Sequence, residues 1–309
     1  NQLNKPEIYS DEELEKLKKR EKASGNFYDY FKKLANQRQS SNHDNWVSAL
    51  LYFEKYAGHN VKFGDLTEKF CNGFKDFLLS TNSFKSDNSK LAQNSAVSYF
   101  NKFKAALKQA YEDEYLLNNL SSKIKPIKQA ETQRSYLTFD ELNRLLATEC
   151  KNPLLKKAAL FSALTGLRFS DIQKLKWSEL QYSAENGHSV HFTQKKTKSN
   201  EVLPISQQAF EMLGERSGDT ERVFEGLEYS AYENKKLYRW ISAAGIQKEI
   251  TFHSFRHTYA TLQLSLGTDI YTVSKLLGHK ELKTTQIYAK VVDQLKREAA
   301  DKMNFNTNN

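Results

Sequence analysis

The sequence predicts a mainly α-helical protein with a small β insertion, divided into two domains. Apolar residues recur at three- and four-residue spacing along most of the 309 residues, which is the periodicity of amphipathic helices. Two short segments, SVHFTQ and EVLPIS, have the composition of strands, and the polar turn KKTKSN joins them. A stretch without periodicity at 119–135 separates the two helical parts.

Charge and cysteine content narrow the class of protein. The net charge of +9 suits a partner rich in phosphate, although solubility alone explains it about equally well. Cys71 and Cys150 lie far apart, so they predict neither a disulfide framework nor a zinc site, and they fit a reducing compartment. No apolar run reaches the length of a membrane span. Because the chain begins at Asn1 rather than Met, we expect a fragment of a longer protein.

Helices dominate the first 118 residues. Ser10 and Glu13 form a capping box ahead of the charged segment DEELEKLKKREKA, which predicts the first helix. Apolar stripes that are rich in aromatic residues predict further helices at about 46–57, 67–78 and 91–116. The aromatic side chains are interpreted as the core of a small helical bundle.

The stretch 119–135 is interpreted as a basic linker. Its sequence, NLSSKIKPIKQAETQRS, contains Pro126 and a single acidic residue, Glu131. Its cations are Lys123, Lys125, Lys128 and Arg134. An ordinary surface connection is an equally good interpretation of this composition. The predicted organisation is a helical domain at 1–118, an exposed linker at 119–135 and a second domain at 136–309.

The second domain begins with another capping box, formed by Thr138 and Glu141. A long apolar helix is predicted after Pro153 and ends at the segment TGLR. The strand pair follows, and helices resume in NKKLYRWISAAG, HSFRHTYATLQLSLG and DIYTVSKLLG.

Three positions in HSFRHTYATLQLS carry chemistry. On a helix, His253, Arg256 and His257 share a face apart from the apolar stripe. An arginine beside a histidine can bind a phosphate and exchange a proton near it. The alternative, a metal-binding His-x-x-x-His pair, is disfavoured because the glutamate of the metalloprotease motif and a third ligand are missing. His257 is therefore interpreted as a structural residue.

Two further segments complete the candidate site. In TGLRFSDI, Gly166 permits a sharp turn that carries Arg168, whose charge needs either Asp171 or a substrate anion as a partner. Alone, that segment favours the structural interpretation. In LLGHKELKTTQIYAKV, Tyr288 follows His279 by nine residues on a predicted helix that could also be an ordinary amphipathic one.

In chain order these segments resemble the tyrosine recombinase (phage-type integrase) family. The resemblance covers TGLRFSDI, TQKKTKSNEVLPI, HSFRHTYAT and LLGHKELKTTQIYAKV, with family-like spacing. The segments FYDYFKK, YFEKYAG and FCNGFKDFLLST are most similar to integrases of conjugative transposons and related mobile elements. The implied fold is an N-terminal core-binding (SAM-like) domain and a catalytic domain, which form a two-lobed clamp on DNA.

The resemblance implies a role for each candidate residue. Tyr288 is the nucleophile that forms a 3′-phosphotyrosyl intermediate, and His253 assists its proton transfer. Arg168 and Arg256 hold the non-bridging phosphate oxygens, and His279 adds a hydrogen bond. The intermediate retains the bond energy, so the resemblance implies neither a cofactor nor a metal.

The lysine of the family lies in a hairpin turn, which has three candidates in this sequence. Alignment of EVLPIS with the second strand selects Lys196 as the proton donor to the leaving 5′ oxygen. Lys195 and Lys198 then become DNA-backbone contacts, as do the linker residues Lys123, Lys125 and Lys128.

The implied function is site-specific recombination that integrates or excises a mobile element. The implied partners are double-stranded attachment-site DNA, further copies of the chain in a tetramer on two duplexes, and accessory DNA-bending or directionality proteins, with no membrane. A cytoplasmic, nucleoid-associated protein is expected. Two alternatives remain: a type IB topoisomerase, which generally has Lys in place of His253, and a non-catalytic DNA-binding protein.

Overall fold

A computed structural model of the chain describes Ser10 and residues 21–130, 134–196 and 198–289, and helices make up most of its regular structure. The prediction of a mainly helical protein with a small β insertion is confirmed. The chain divides into two compact units, Asn1–Thr132 and Gln133–Asn309. In the described part of the chain, no helix is both long and apolar enough to cross a membrane.

The first unit is a helical bundle with an aromatic core. Its helices are α1 (Phe27–Asn36), α2 (Ser40–Ala57), α3 (Glu68–Ser80), α4 (Gln93–Glu112) and α5 (Leu120–Lys123). The rings of Phe53 and Phe103 lie 5.5 Å apart at the centre of this core. Thr67 caps α3 by accepting a hydrogen bond from the N–H of Phe70. The three helices predicted from apolar stripes are confirmed, whereas most of DEELEKLKKREKA lies outside the described residues.

A two-stranded hairpin between α3 and α4 escaped prediction. Its strands are β1 (Asn82–Ser83) and β2 (Ser86–Lys90), paired antiparallel. The exposed ring of Phe84 lies 4.5 Å from that of Tyr52, whose hydroxyl accepts the Phe84 N–H. The segment is too polar for an alternating pattern to reveal it.

Residues 119–130 of the predicted linker belong to the first unit, and the stretch is not exposed throughout, although Lys123, Lys125 and Lys128 are exposed. Leu120, Ile124 and Ile127 are buried in the aromatic core. Only Leu120 of the three lies on a helix, so no helical periodicity marks this packing in the sequence. The division into units at Thr132 and Gln133 falls near the end of the stretch.

The second unit surrounds a separate apolar core that includes Phe161, Phe224 and Phe255. Its helices are α6 (Phe139–Ala147), α7 (Pro153–Thr165), α8 (Phe169–Ile172), α9 (Gln207–Glu211), α10 (Ala231–Ala243), α11 (Phe252–Ser265), α12 (Ile270–Leu276) and α13 (Gln286–Ala289). The capping box of Thr138 and Glu141 is present at the start of α6. Each helix predicted in this domain is confirmed.

The β insertion has three strands rather than the predicted two. β3 (Leu180–Ser183), β4 (Gly187–Thr193) and β5 (Asn200–Pro204) form an antiparallel sheet in the order β3-β4-β5. The predicted pair corresponds to β4 and β5, which pair from Ser189 with Pro204 to Thr193 with Asn200. β3 was missed because one buried residue, Leu180, gives four residues no readable alternation.

A left-handed glycine ends α7 and fixes the turn that follows. Gly166 has φ +70°, and its N–H donates to the Ser162 carbonyl oxygen over 2.8 Å. A Cβ at this position would lie 2.6 Å from Tyr259 Cδ1 and 2.9 Å from Leu277 Cδ2. The turn therefore requires glycine for both backbone conformation and space.

We expect Gly166→Ala to lower the free energy of unfolding by about 2–4 kcal/mol, from the left-handed backbone and the crowded Cβ together. Gly187→Ala is the matched control, because Gly187 has φ +69° but nothing within 4 Å of its added Cβ. The control should lose only about 1–2 kcal/mol. Urea denaturation of both variants measures the difference, and equal losses would contradict the steric argument.

Candidate active site

Arg256 forms the centre of the candidate site. It projects from α11, is 3% exposed, and donates through Nη1 to the Gly166 carbonyl oxygen (2.6 Å) and through Nη2 to that of Leu277 (2.7 Å). Burial and the nearby positive charge of Arg168 lower its pKa to about 9, so the side chain stays cationic at neutral pH. The turn after α7 and the end of α12 therefore fix a buried positive charge.

His279 is oriented by Arg256 and by Thr285. Its Nε2 lies 3.0 Å from Arg256 Nη2, and its Nδ1 lies 2.8 Å from Thr285 Oγ1. Since a guanidinium only donates, Nε2 accepts, and the ring proton resides on Nδ1 and is donated to Thr285. Burial and the charge of Arg256 lower the His279 pKa to about 4, so the ring is neutral at neutral pH.

Tyr288 lies on α13 and is 3% exposed. Its hydroxyl oxygen lies 2.6 Å from Nδ1 of His257, and its N–H donates to the Thr285 carbonyl oxygen over 3.0 Å. Burial raises the pKa of the phenol, while the charges of Arg256, Arg134 and Arg168 act in the opposite direction. The hydroxyl is therefore protonated at neutral pH.

His253, to which the resemblance assigned proton transfer at Tyr288, lies beside the histidine that contacts the tyrosine hydroxyl. The hydrogen-bonding partner of the Tyr288 hydroxyl is His257, and the His253 ring contacts His257 edge-on, with ring centroids 4.5 Å apart. The His253 side chain keeps much of its surface open to solvent. Its partial burial and the charges of Arg256 and Arg168 lower its pKa. His253 and His257 are one helical turn apart, so periodicity alone did not distinguish them.

Arg168 is tied to the lysine-bearing turn. It precedes α8, and its Nη1 donates to Gln194 Oε1 over 2.6 Å and lies 3.8 Å from Asp171 Oδ2. Asp171 Oδ1 accepts the backbone N–H of Lys195 over 2.8 Å. Gln194 escaped prediction, because no local pattern marks a glutamine as the partner of an arginine 26 residues earlier.

The turn between β4 and β5 exposes its lysines. Lys195, Lys196 and Lys198 are exposed, and Thr197 between them lies outside the described residues. The charge of Lys196 contributes to the lowered pKa of both His253 and His279, so its ammonium group is within electrostatic reach of the site.

The predicted site residues of the second unit lie together, whereas the three linker lysines belong to the first unit. Among those three, Lys123 lies 3.5 Å from Glu68 Oε1, and Lys125 and Lys128 are exposed. The hydrogen bond of His257 to Tyr288 was not predicted, and Thr285, which stands three residues before Tyr288, was missed.

This arrangement is suited to bind an anion beside a tyrosine. The positive charge of Arg168 contributes to the lowered pKa of Arg256, and an anion between the two guanidinium groups would relieve that repulsion. Among the described residues, three of the five N–H donors of Arg256 are engaged, which leaves two to reach such an anion. The fold and the site together define a mainly helical protein with a cationic, anion-binding site beside a buried tyrosine.

The chain belongs to the phage integrase family. The model of that family matches residues 135–294, and the model of the phage integrase SAM-like domain matches residues 26–126. The resemblance to tyrosine recombinases is thereby confirmed, and with it the presence of a SAM-like domain ahead of the integrase domain.

Proteins with similar sequences are named as integrases and tyrosine recombinases. The integrase of Haemophilus phage HP1 (strain HP1c1) is 31% identical over 54% of this chain and 46% of its own length. The tyrosine recombinase XerD of Lacticaseibacillus casei is 30% identical over 56% of this chain and 64% of its own length. The chain thus matches about half to two thirds of the length of these relatives.

Two solved structures share the fold at low sequence identity. A lambda integrase dimer bound to a COC′ core site has a TM-score of 0.67 and 18% identity, covering 92% of this chain and 81% of that one. The Tn1549 transposon integrase in complex with transposon right end DNA has a TM-score of 0.65 and 14% identity, covering 90% of this chain and 99% of that one.

Proposed function

We propose that this protein is a site-specific DNA recombinase that cleaves and rejoins DNA strands through a 3′-phosphotyrosyl intermediate and so integrates or excises a mobile element. The observation that carries this proposal is the buried Tyr288 hydroxyl beside the hydrogen-bonded pair of Arg256 and His279. Membership of the phage integrase family supports it.

In this proposal the scissile phosphate binds between the two arginines. Arg256 offers its remaining N–H groups from a guanidinium that two carbonyl oxygens already hold in place, so little reorganisation is needed on binding. Arg168 reaches the same anion from the turn that Gln194 supports. The two positive charges stabilise the additional negative charge of the transition state.

His279 must change its hydrogen bonding to contribute. Its Nε2 accepts from Arg256 in the DNA-free protein, whereas a phosphate oxygen requires a donor. Two changes supply that donor. Nε2 takes up a proton, which the negative charge of the bound phosphate favours, or the ring proton moves from Nδ1 to Nε2. Thr285 Oγ1 is suited to both states, because a hydroxyl can accept or donate.

The chemical step is a transesterification. Tyr288 Oη gives its proton to a histidine of α11 and bonds to phosphorus, the P–O5′ bond breaks, and Lys196 supplies the proton to the departing oxygen. The 5′ hydroxyl of another strand reverses these steps and releases the tyrosine. Each step exchanges one phosphodiester bond for another, so the reaction needs no external energy.

The proposed partners follow from the same function. We infer double-stranded attachment-site DNA, a tetramer on two duplexes, and accessory DNA-bending or directionality proteins at the nucleoid of the cytoplasm. The solved lambda integrase tetramer bound to a Holliday junction, 20% identical to this chain, supports the assembly.

The test uses nicked duplexes that trap the covalent intermediate. A pool with a randomised central region is incubated with the protein, and the duplexes that become covalently attached are amplified and sequenced. Attachment to one sequence family supports the recombinase. Attachment to all sequences together with plasmid relaxation would indicate a topoisomerase, and binding without attachment would indicate a non-catalytic DNA-binding protein.

The exposed lysines in the turn between β4 and β5 lead to a prediction about how DNA affinity depends on salt concentration. If Lys195 and Lys198 contact phosphates, Lys195→Ala and Lys198→Ala should each flatten the slope of log K against log salt by about 0.9. Fluorescence anisotropy on the selected duplex between low and moderate salt measures the slope. Lys108→Ala is the control, because Lys108 forms an ion pair with Glu112 on α4 and should leave the slope unchanged. Unchanged slopes in both turn variants would contradict the proposed contacts.

A further inference from the structure

His257 forms a hydrogen bond with Tyr288 that a residue with a purely structural role would not require. Its Nδ1 lies 2.6 Å from the Tyr288 hydroxyl oxygen, and the two residues are 6% and 3% exposed. α11 supplies the histidine and α13 the tyrosine, so the contact joins segments 31 residues apart. The hydroxyl that attacks DNA under the proposed function is therefore already paired with a base.

The direction of this hydrogen bond follows from the chemistry of the two groups. Burial lowers the pKa of His257 to about 3 and raises that of Tyr288, so both are neutral at neutral pH. A phenol is a strong donor and an imidazole nitrogen lone pair a strong acceptor, which favours O–H···N over the reverse. The hydroxyl proton then points to Nδ1, and the oxygen lone pairs remain for another partner.

Under the proposed function, a phosphate bound at the two arginines alters the electrostatic surroundings of His257. In the DNA-free protein its pKa is lowered by burial, by the His253 ring and by the charges of Arg134 and Arg256. A phosphate bound at the two arginines adds negative charge that offsets these positive neighbours. Nδ1 therefore becomes more basic in the complex that requires a proton acceptor.

We propose that His257 is a further catalytic residue of the proposed reaction, whose Nδ1 takes the Tyr288 hydroxyl proton as Oη bonds to phosphorus. During cleavage the Oη–P bond forms, the P–O5′ bond breaks, and O5′ receives a separate proton from the lysine. During joining the O5′–P bond forms, the Oη–P bond breaks, and Nδ1 returns its proton to the tyrosine. This inference rests on the proposed function and assigns to His257 the step that the sequence assigned to His253.

The test makes the phenol at position 288 more acidic, which reduces the need for a base during cleavage. It then compares how far each variant regains its cleavage rate. Position 288 carries either tyrosine or 3,5-difluorotyrosine, whose phenol is more acidic, and cleavage is followed in single turnover on the selected nicked duplex. With tyrosine, we expect His257→Ala to slow cleavage by about 100-fold or more. With difluorotyrosine the loss should shrink to less than about tenfold, because that phenol ionises without a base. Wild-type protein with difluorotyrosine supplies the reference rate.

His257→Gln is a second variant that separates loss of the base from a folding defect in His257→Ala. Its amide oxygen can accept the tyrosine hydrogen bond but cannot hold a proton, so it should melt and bind DNA like the wild type and still cleave slowly. A ¹⁹F NMR spectrum of 3-fluorotyrosine at position 288 in the DNA-free protein should shift in His257→Ala, which tests the hydrogen bond directly. His253→Ala is the matched control, and difluorotyrosine should leave its cleavage rate relative to the wild type unchanged.

The outcomes separate this inference from the proposed function. Adducts that map to Tyr288 in the wild type with normal rates in both His257 variants would overturn the role of His257 alone. Equal losses with tyrosine and difluorotyrosine would make His257 a packing residue. Selective rescue of His253→Ala would move the base to His253. A wild-type protein that forms no adduct on any duplex of the pool would overturn both proposals.

Discussion

Tyr288→Phe is expected to abolish covalent protein–DNA adducts while DNA affinity stays within about threefold, which is less than ~1 kcal/mol. The phenyl ring can remain in the pocket lined by Tyr259 and Leu277, so α13 keeps its packing. Only the attacking oxygen is lost. Denaturing gels on the selected nicked duplex measure the adduct, and gel shifts measure the affinity.

The same change should also cost stability. Without the hydroxyl, Nδ1 of His257 is a buried polar atom deprived of its 2.6 Å partner, which destabilises the fold by about 1–3 kcal/mol. Tyr259→Phe is the control, because Tyr259 is a buried tyrosine of the same apolar cluster and should keep forming adducts. Adducts that persist in Tyr288→Phe would show that another residue attacks the DNA.

Lys196→Ala is expected to slow cleavage by about 100- to 10,000-fold, the contribution of a well-placed general acid. The leaving 5′ oxygen departs poorly as an alkoxide, so it needs the proton that the ammonium group supplies. A duplex with sulfur at the bridging 5′ position removes that need, because a thiolate leaves without protonation. Cleavage by Lys196→Ala should be largely restored on this duplex.

Three further variants make the lysine assignment specific. Arg168→Ala should stay defective on the sulfur duplex, since the role proposed for Arg168 is to hold the phosphate. Lys195→Ala and Lys198→Ala should cleave both duplexes at rates near the wild type. Sulfur rescue of Lys198→Ala would move the proton donor two residues along the turn, and failure to rescue any lysine variant would exclude a lysine proton donor.

Local signals carried the fold prediction. The Thr138 and Glu141 capping box, the cap at Thr67 and the glycine after α7 each act within a few residues, so the sequence displays them directly. β1, β2 and β3 were missed because strands of two to five residues depend on partners rather than on their own pattern. The apolar residues of the predicted linker show the reverse case, in which long-range packing overrides a polar composition.

The site was harder to predict than the helices. The resemblance placed Arg256 and His279 at the same phosphate because each stands in a recognisable segment. Their side chains do form a hydrogen bond. Whether His253 or His257 contacts the Tyr288 hydroxyl depends on where α13 docks. The two residues in contact, His257 and Tyr288, are 31 positions apart in the sequence. No property of either histidine's neighbours in the sequence encodes that distance.

Thr285 makes the length of the segment before the tyrosine as important as its composition. Its side chain binds His279, and its carbonyl oxygen accepts the N–H of Tyr288, so one residue connects both groups. A single inserted residue between Thr285 and Tyr288 would rotate the tyrosine by about 100° around the helix and away from His257. Insertions before Thr285 would instead separate its hydroxyl from the histidine ring. Over evolution this segment can therefore change many of its side chains but not its number of residues.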